Sequence, residues 1–308
     1  METTIAAGHL AAQQDGVITA AQCRQLGLSP IRVTQLCRNG TWQRLAHGAY
    51  LVAPSRASRR AFIRAVLAGY GPGAAVMLGT AAELHGLEAA REGPVHVAIP
   101  AARATRSRRP GVASYQRTLG VDDVTEVDGI AATSVLRTLA DLVLSRERLS
   151  AVALVDGALH EGALRHPGDL VPYITGRRGA LAARKYLAEA DGNAESPLET
   201  RVRLRCADGG VPPEALQYPV RTAGGLILGY GDLAWPRDRL IAEADGDEAY
   251  REPGSLARDR RRQNDMTNAG WRVLRFTWQD TLRPGYVPAV VRAALGPAGS
   301  GRGRVRAG

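Results

Sequence analysis

The chain has 308 residues, 45% of them hydrophobic, with 40 lysines and arginines against 30 aspartates and glutamates, for a formal net charge of +10 and a pI near 10.1. That apolar content at that length fills two or three hydrophobic cores, which excludes a disordered chain, and the basic excess points to a polyanionic partner, nucleic acid first. Cys23, Cys37 and Cys206 lie far apart with no Cys-x-x-Cys pair, which excludes a disulfide framework and a zinc knuckle and fits a reducing compartment.

No basic segment followed by an apolar core opens the chain, and Gly, Arg or Asp interrupts each apolar stretch short of a membrane span, so a cytoplasmic protein is expected. The first 56 residues carry three short helical patterns, the second over 19–26 and the third over 29–38, separated by Gly27-Leu28-Ser29. Ser29 suits an N-cap and Pro30 the first helical position, while Asn39-Gly40 stops the helix. Residues 42–45 and 48–52 read as two strands around a His47-Gly48 turn. Helix, turn, helix, hairpin is the pattern of a winged helix-turn-helix. In that pattern the third helix enters the major groove, with Val33 and Leu36 toward the core and Arg32, Gln35 and Arg38 toward DNA. Arginine and glutamine both make bidentate contacts to purine edges. A small helical domain with a solvated polar face is the alternative.

Residues 57–187 read as a mixed α/β middle domain. Helical patterns at 61–68 and 134–144 flank a strand at 95–99 and a basic loop at 103–109. The arginines of that loop suit phosphate contact or a solvated surface. His85 and His96 sit among apolar residues with no partner at metal spacing and are read as structural. Residues 188–195, small and acidic around Asp191-Gly192-Asn193, read as a linker, and residues 296–308 as a disordered basic tail.

From Ser196 the pattern sharpens. Ser196-Pro197-Leu198-Glu199 opens a helix to about Asp208, and 216–222 is a strand. A hairpin of 226–235 and 239–245 follows, then a helix over 256–269, a strand over 271–277 and a closing helix over 287–294. If Arg237-Asp238 form a two-residue turn, Pro236 faces Arg239 and Asp232 falls opposite Glu243. Asp245, two residues beyond, points to the same face. Opposed carboxylates repel, and are tolerated with a cation between them or a raised pKa on one. A hard divalent ion such as Mg²⁺ is the expected resolution.

These residues resemble the PD-(D/E)xK nuclease superfamily, and within it the very-short-patch-repair-like endonuclease domain. The resemblance rests on Glu199 in SPLETRVR, Asp232 and Trp235-Pro236 in GDLAWP, Glu243 to Gly246 in IAEADG, Arg258 to Asn264 in RDRRRQN, and Gly270 to Phe276 in GWRVLRF. The N-terminal segment resembles the domain that opens type IV abortive-infection antitoxins. Together they imply an α+β or α/β multidomain protein: a winged helix-turn-helix, a mixed α/β middle and a restriction-endonuclease-like αβββαβ core. They imply Asp232 and Glu243 as ligands of Mg²⁺, Glu199 and Asp245 as further catalytic carboxylates, and DNA hydrolysis in which the metal generates hydroxide and stabilises the departing oxygen. Gly231 stands where that motif has proline, and Asp245 where it has lysine. Lys185 is the sole lysine, so none elsewhere in this domain substitutes.

Arginine accepts no proton at neutral pH, so Arg258, Arg260, Arg261 and Arg262 can only stabilise charge or hold DNA phosphates. Glu199 also reads as half of a capping box, Asp245-Gly246 as a turn pair, and Trp235, Trp271 and Phe276 as core. Two functions follow. One is a metal-dependent endonuclease, with RNA in place of DNA as a variant; the other is a non-catalytic, antitoxin-like transcriptional regulator with DNA and a toxin protein as partners.

Overall fold

The computed structural model describes residues 2–52, 57–87, 93–100, 110–222, 224–246 and 255–296, with backbone alone for 255–259. They fall into two compact units that divide between Leu142 and Val143. The fold is α+β throughout.

The first unit opens with α1 (Glu2–Ala12), β1 (Val17–Thr19), α2 (Ala20–Gln25), α3 (Pro30–Arg38), β2 (Trp42–Ala46) and β3 (Ala49–Val52). Thr19 and Gln22 cap α2 reciprocally, and the Ser29 hydroxyl accepts from the Arg32 N–H with Pro30 at the first helical position. These caps satisfy backbone donors that short helices leave open. The three strands form one antiparallel sheet in the order β1-β3-β2. Ala7, Ile18, Cys23, Leu28, Val33, Leu36 and Trp42 close its core. This is the helix-turn-helix and hairpin expected.

Next come α4 (Arg59–Tyr70), β4 (Ala75–Val76), α5 (Leu78–Leu84), β5 (Val95–Ile99), β6 (Val112–Gln116), β7 (Val124–Val127), β8 (Ile130–Thr133) and α6 (Val135–Ser145), which crosses the division. The strands form a mixed sheet in the order β6-β5-β4-β8-β7. The helix α4 is apolar on two sides. Ile63 and Val66 pack on the mixed sheet at Val76, Val97 and Ile130, whereas Ala61 and Ala65 pack on Val17, Ala49 and Leu51 of the winged sheet. Arg64 ties the same parts together, donating to Asp15 Oδ2 at 2.9 Å and to the Gly129 carbonyl at 2.9 Å. One shared helix thus explains why the boundary expected near residue 56 is not a division between compact units.

The second unit continues with α7 (Arg148–His160), α8 (Val171–Ile174), α9 (Ala180–Ala188) and α10 (Pro197–Asp208). It ends with β9 (Ala215–Arg221), β10 (Ile227–Trp235), β11 (Leu240–Ala244), α11 (Ser255–Asn268), β12 (Arg272–Phe276), α12 (Trp278–Thr281) and α13 (Tyr286–Leu295). The sheet order is β12-β11-β10-β9, with β11 and β12 parallel and the other pairs antiparallel. From α10 to β12 the order is αβββαβ, as expected. One face carries Leu233, Trp235, Leu240, Ala242 and Phe276 against Leu198 and Val202 of α10 and Val287 and Val291 of α13. The other carries Val220, Ile241 and Trp271 against Met266 of α11. Trp235, Trp271 and Phe276 are buried core, and the Trp235 indole N–H donates to the Pro212 carbonyl.

Residues 188–195 are not a free linker. The Asp191 N–H donates to Asp156 Oδ1 at 2.7 Å, the Glu189 carbonyl accepts from Arg203, and Ala194 is buried. The loop at 103–109 and the tail from residue 297 onward lie outside the described residues.

Candidate nucleic-acid interface and carboxylate cluster

In α3, Val33 and Leu36 are buried, and Ile31, Arg32, Thr34, Gln35 and Arg38 are exposed. One face of the helix therefore carries two arginines and a glutamine, with Arg32 Nη1 donating to Gln35 Oε1 at 3.5 Å. No acidic residue occurs between Ser29 and Val52, so nothing in this stretch repels phosphate. Two members were missed by the sequence reading. Ile31 is 72% exposed on the same helix, and Arg44 stands exposed on β2, within 3.2 Å of His47 Nδ1 at the hairpin turn. Burial alone distinguishes Ile31 from a core isoleucine.

The C-terminal sheet brings the acidic residues together. Leu233 pairs with Ala242 in the β10–β11 ladder, and one step further Asp232 lies opposite Glu243, in the expected register. The connection is a 3₁₀ turn over Pro236–Asp238 with Arg239 left-handed at φ 48°, which preserves that register. On its other side Asp232 lies opposite Gln217 of β9, which also has a left-handed backbone, at φ 46°. Gln217 donates to Glu199 Oε2 at 3.0 Å, a contact no sequence signal marks. Gly231 is glycine for a local reason: an added Cβ would come within 2.6 Å of Ile241 Cγ2, so the proline of the resembling motif has no room.

Burial pushes the Asp232 carboxyl up to about 6, and the charges of Glu199 and Glu243 push it the same way, against the Ala244 N–H that donates to Oδ2 at 2.8 Å. A raised pKa is thus one relief of the repulsion. The other is a pair of guanidinium groups. Arg262 Nη2 lies 2.9 Å from Glu243 Oε1, and Arg275 Nη2 lies 3.1 Å from Oε2. Arg275 also reaches Asp245 Oδ2 at 3.4 Å. Arg260 and Arg261 face solvent, while Arg262, four residues before the buried Met266, turns toward the sheet. The Arg258 side chain lies outside the described residues.

An oxygen-bound Mg²⁺ takes octahedral carboxylate and water ligands. Here both Glu243 oxygens meet arginine, Asp232 Oδ2 accepts from the backbone, and Glu199 Oε2 accepts from Gln217 and from the Glu195 N–H at 2.9 Å. Among the described residues no three His, Cys, Asp or Glu side chains converge as a metal site. In this arrangement the donor set does not fit the ion. Glu199 is held as a helix-start residue, its N–H donating to Ser196 Oγ. His85 Nε2 bonds the Thr133 carbonyl at 2.7 Å, and His96 Nδ1 bonds the Tyr115 hydroxyl at 3.1 Å. No helix among the described residues is long and apolar enough to cross a membrane.

Residues 9–53 match the family described as "Transcriptional regulator, AbiEi antitoxin", and residues 74–188 match "AbiEi antitoxin C-terminal domain". Two proteins of Mycobacterium tuberculosis, Rv2248 of strain H37Rv and MT2308 of strain CDC 1551, are each 33% identical to this chain over 264 residues, covering 84% of it and 94% of their own length. Among solved structures, the crystal structure of the RV2827C protein from Mycobacterium tuberculosis aligns with a TM-score of 0.43 at 17% identity, over 64% of this chain and 78% of that one.

Proposed function

We propose, because the chain belongs to the family of the Rv2248 and MT2308 proteins and carries AbiEi antitoxin domains over 9–53 and 74–188, that it is a DNA-binding transcriptional regulator of antitoxin type. The observation that carries this reading is the acid-free exposed face of α3, set on a buried Val33 and Leu36. Arg32 and Arg38 suit guanine edges, Gln35 suits adenine, and Ile31 offers an apolar contact to a thymine methyl. Arg44 on the hairpin suits the phosphate backbone, which sets register without reading sequence. A toxin protein is the partner that an antitoxin implies.

A gel shift on the DNA upstream of the chain's own gene tests the reading. Arg32→Ala and Gln35→Ala are each expected to weaken binding about fivefold or more, at roughly 1–3 kcal/mol per base contact. Equal binding by the wild type and both variants would remove α3 as the reader.

The second reading, metal-dependent phosphodiester hydrolysis at Asp232 and Glu243 with Glu199 and Asp245, is favoured by one observation, the opposition of Asp232 and Glu243 across β10 and β11. The guanidinium groups on Glu243 weigh against it. Mg²⁺-dependent nicking of DNA that is lost in Glu243→Ala would establish hydrolysis in its place.

A further inference from the structure

We propose that Arg262 and Arg275 serve as the built-in counter-ions of the carboxylate cluster, taking the position on Glu243 that a divalent cation would need. This inference concerns the C-terminal sheet and stands or falls independently of the DNA-reading role of α3.

Two guanidinium groups carry the same charge as one divalent ion, and they bond the two Glu243 oxygens separately, at 2.9 and 3.1 Å. Glu243 is buried at 7% exposure, where an unpaired carboxylate is costly. Arginine suits this place because its fork of donors reaches several acceptors at once and it stays charged at every working pH. Both forks are used. Arg262 Nη1 donates to the Tyr230 carbonyl at 3.1 Å while Nη2 meets Glu243, and Arg275 Nη1 meets Asp245 while Nη2 meets Glu243. Four elements are strapped together in this way: β10 through Tyr230, β11 through Glu243, β12 through Arg275 and α11 through Arg262.

The replacement is also chemical. A metal ion lowers the pKa of a bound water and supplies hydroxide, whereas a guanidinium neither binds water in that way nor takes its proton. Asp245 stands at the lysine position of the resembling motif, and it is joined to Arg275. Glu243 and Asp245 therefore hold the sheet to α11 through an ion-pair network with the two arginines.

The test uses the full-length protein and Mn²⁺ and Mg²⁺ as probes. Isothermal titration of the wild type with Mn²⁺ is expected to give a Kd weaker than about 1 mM, and about 0.1 mM Mg²⁺ is expected to leave the melting temperature unmoved. The double variant Arg262→Gln/Arg275→Gln removes the guanidinium groups from Glu243 and Asp245 and is expected to gain Mn²⁺ binding, lost again when Glu243→Gln is added. Micromolar Mn²⁺ binding by the wild type, abolished by Glu243→Gln, would overturn the proposal. So would a folded double variant that binds no Mn²⁺, because the arginines would then be standing in for nothing. If the double variant does not fold, the comparison of wild type with Glu243→Gln decides on its own.

Discussion

Arg203 Nη2 and Asp156 Oδ2 lie 2.7 Å apart, joining α10 to α7 across 47 residues of sequence. Asp156 is 1% exposed, and its oxygens also accept from the Thr200 hydroxyl and the Asp191 N–H, each at 2.7 Å. The carboxylate of α7 is thus the common acceptor for α10 and the 188–195 segment. Asp156→Ala would leave a half-buried guanidinium and a buried hydroxyl without their carboxylate partner, and removal of one partner of a buried pair costs about 3–5 kcal/mol. Urea unfolding should show that loss, with Asp156→Asn retaining part of it. A change below about 1 kcal/mol would mean the network contributes little.

Gly231→Ala should destabilise the C-terminal sheet by about 1–3 kcal/mol, the usual cost of overpacking a filled interior. Its new Cβ would sit 2.6 Å from Cγ2 of the fully buried Ile241. Ile241→Ala should recover part of the loss, so that the double mutant is more stable than the sum of the single effects. Strict additivity in a thermal or chemical unfolding cycle would contradict the proposed clash.

What the sequence made legible follows from how local each signal is. Ser29-Pro30 and Asn39-Gly40 bracket α3 within a short local stretch, and the Pro236–Arg239 turn places Asp232 opposite Glu243 by counting alone. The middle sheet was largely invisible because β4 is two residues long and depends on strands more than twenty and fifty residues away at Val97 and Ala132. The two-sided packing of α4 hid the absence of a break near residue 56. Asp191-Gly192 has linker composition, and only the distant Asp156 shows it to be pinned. The counter-ion role of Arg262 and Arg275 was equally hidden, since the reach of a long side chain depends on how α11 lies against the sheet.

Asp232 predicts a pH dependence of definite sign. Its folded pKa of about 6 lies above the ordinary value of 3.8, so between those values the native state holds more protons than the unfolded state. Stability from this group is therefore lost as pH rises from about 4 through 6, and the lost amount is on the order of 2 kcal/mol for a half-buried carboxyl. Asp232→Asn keeps an acceptor for the Ala244 N–H and removes the titration. The variant should be more stable than wild type at pH 7.5, with the difference shrinking toward pH 4. A difference independent of pH would contradict the assigned shift.

The DNA-reading role of α3 is best tested by the salt dependence of binding, measured by fluorescence anisotropy on the upstream DNA and on a scrambled duplex of equal length. Each phosphate contact contributes about 0.9 to the slope of log K against log salt. Arg44→Ala should lower the slope by about one on both duplexes, whereas Gln35→Ala should weaken the upstream duplex alone and leave the slope unchanged. Equal affinity of the wild-type protein for the two duplexes, with slopes untouched by either substitution, would contradict the account.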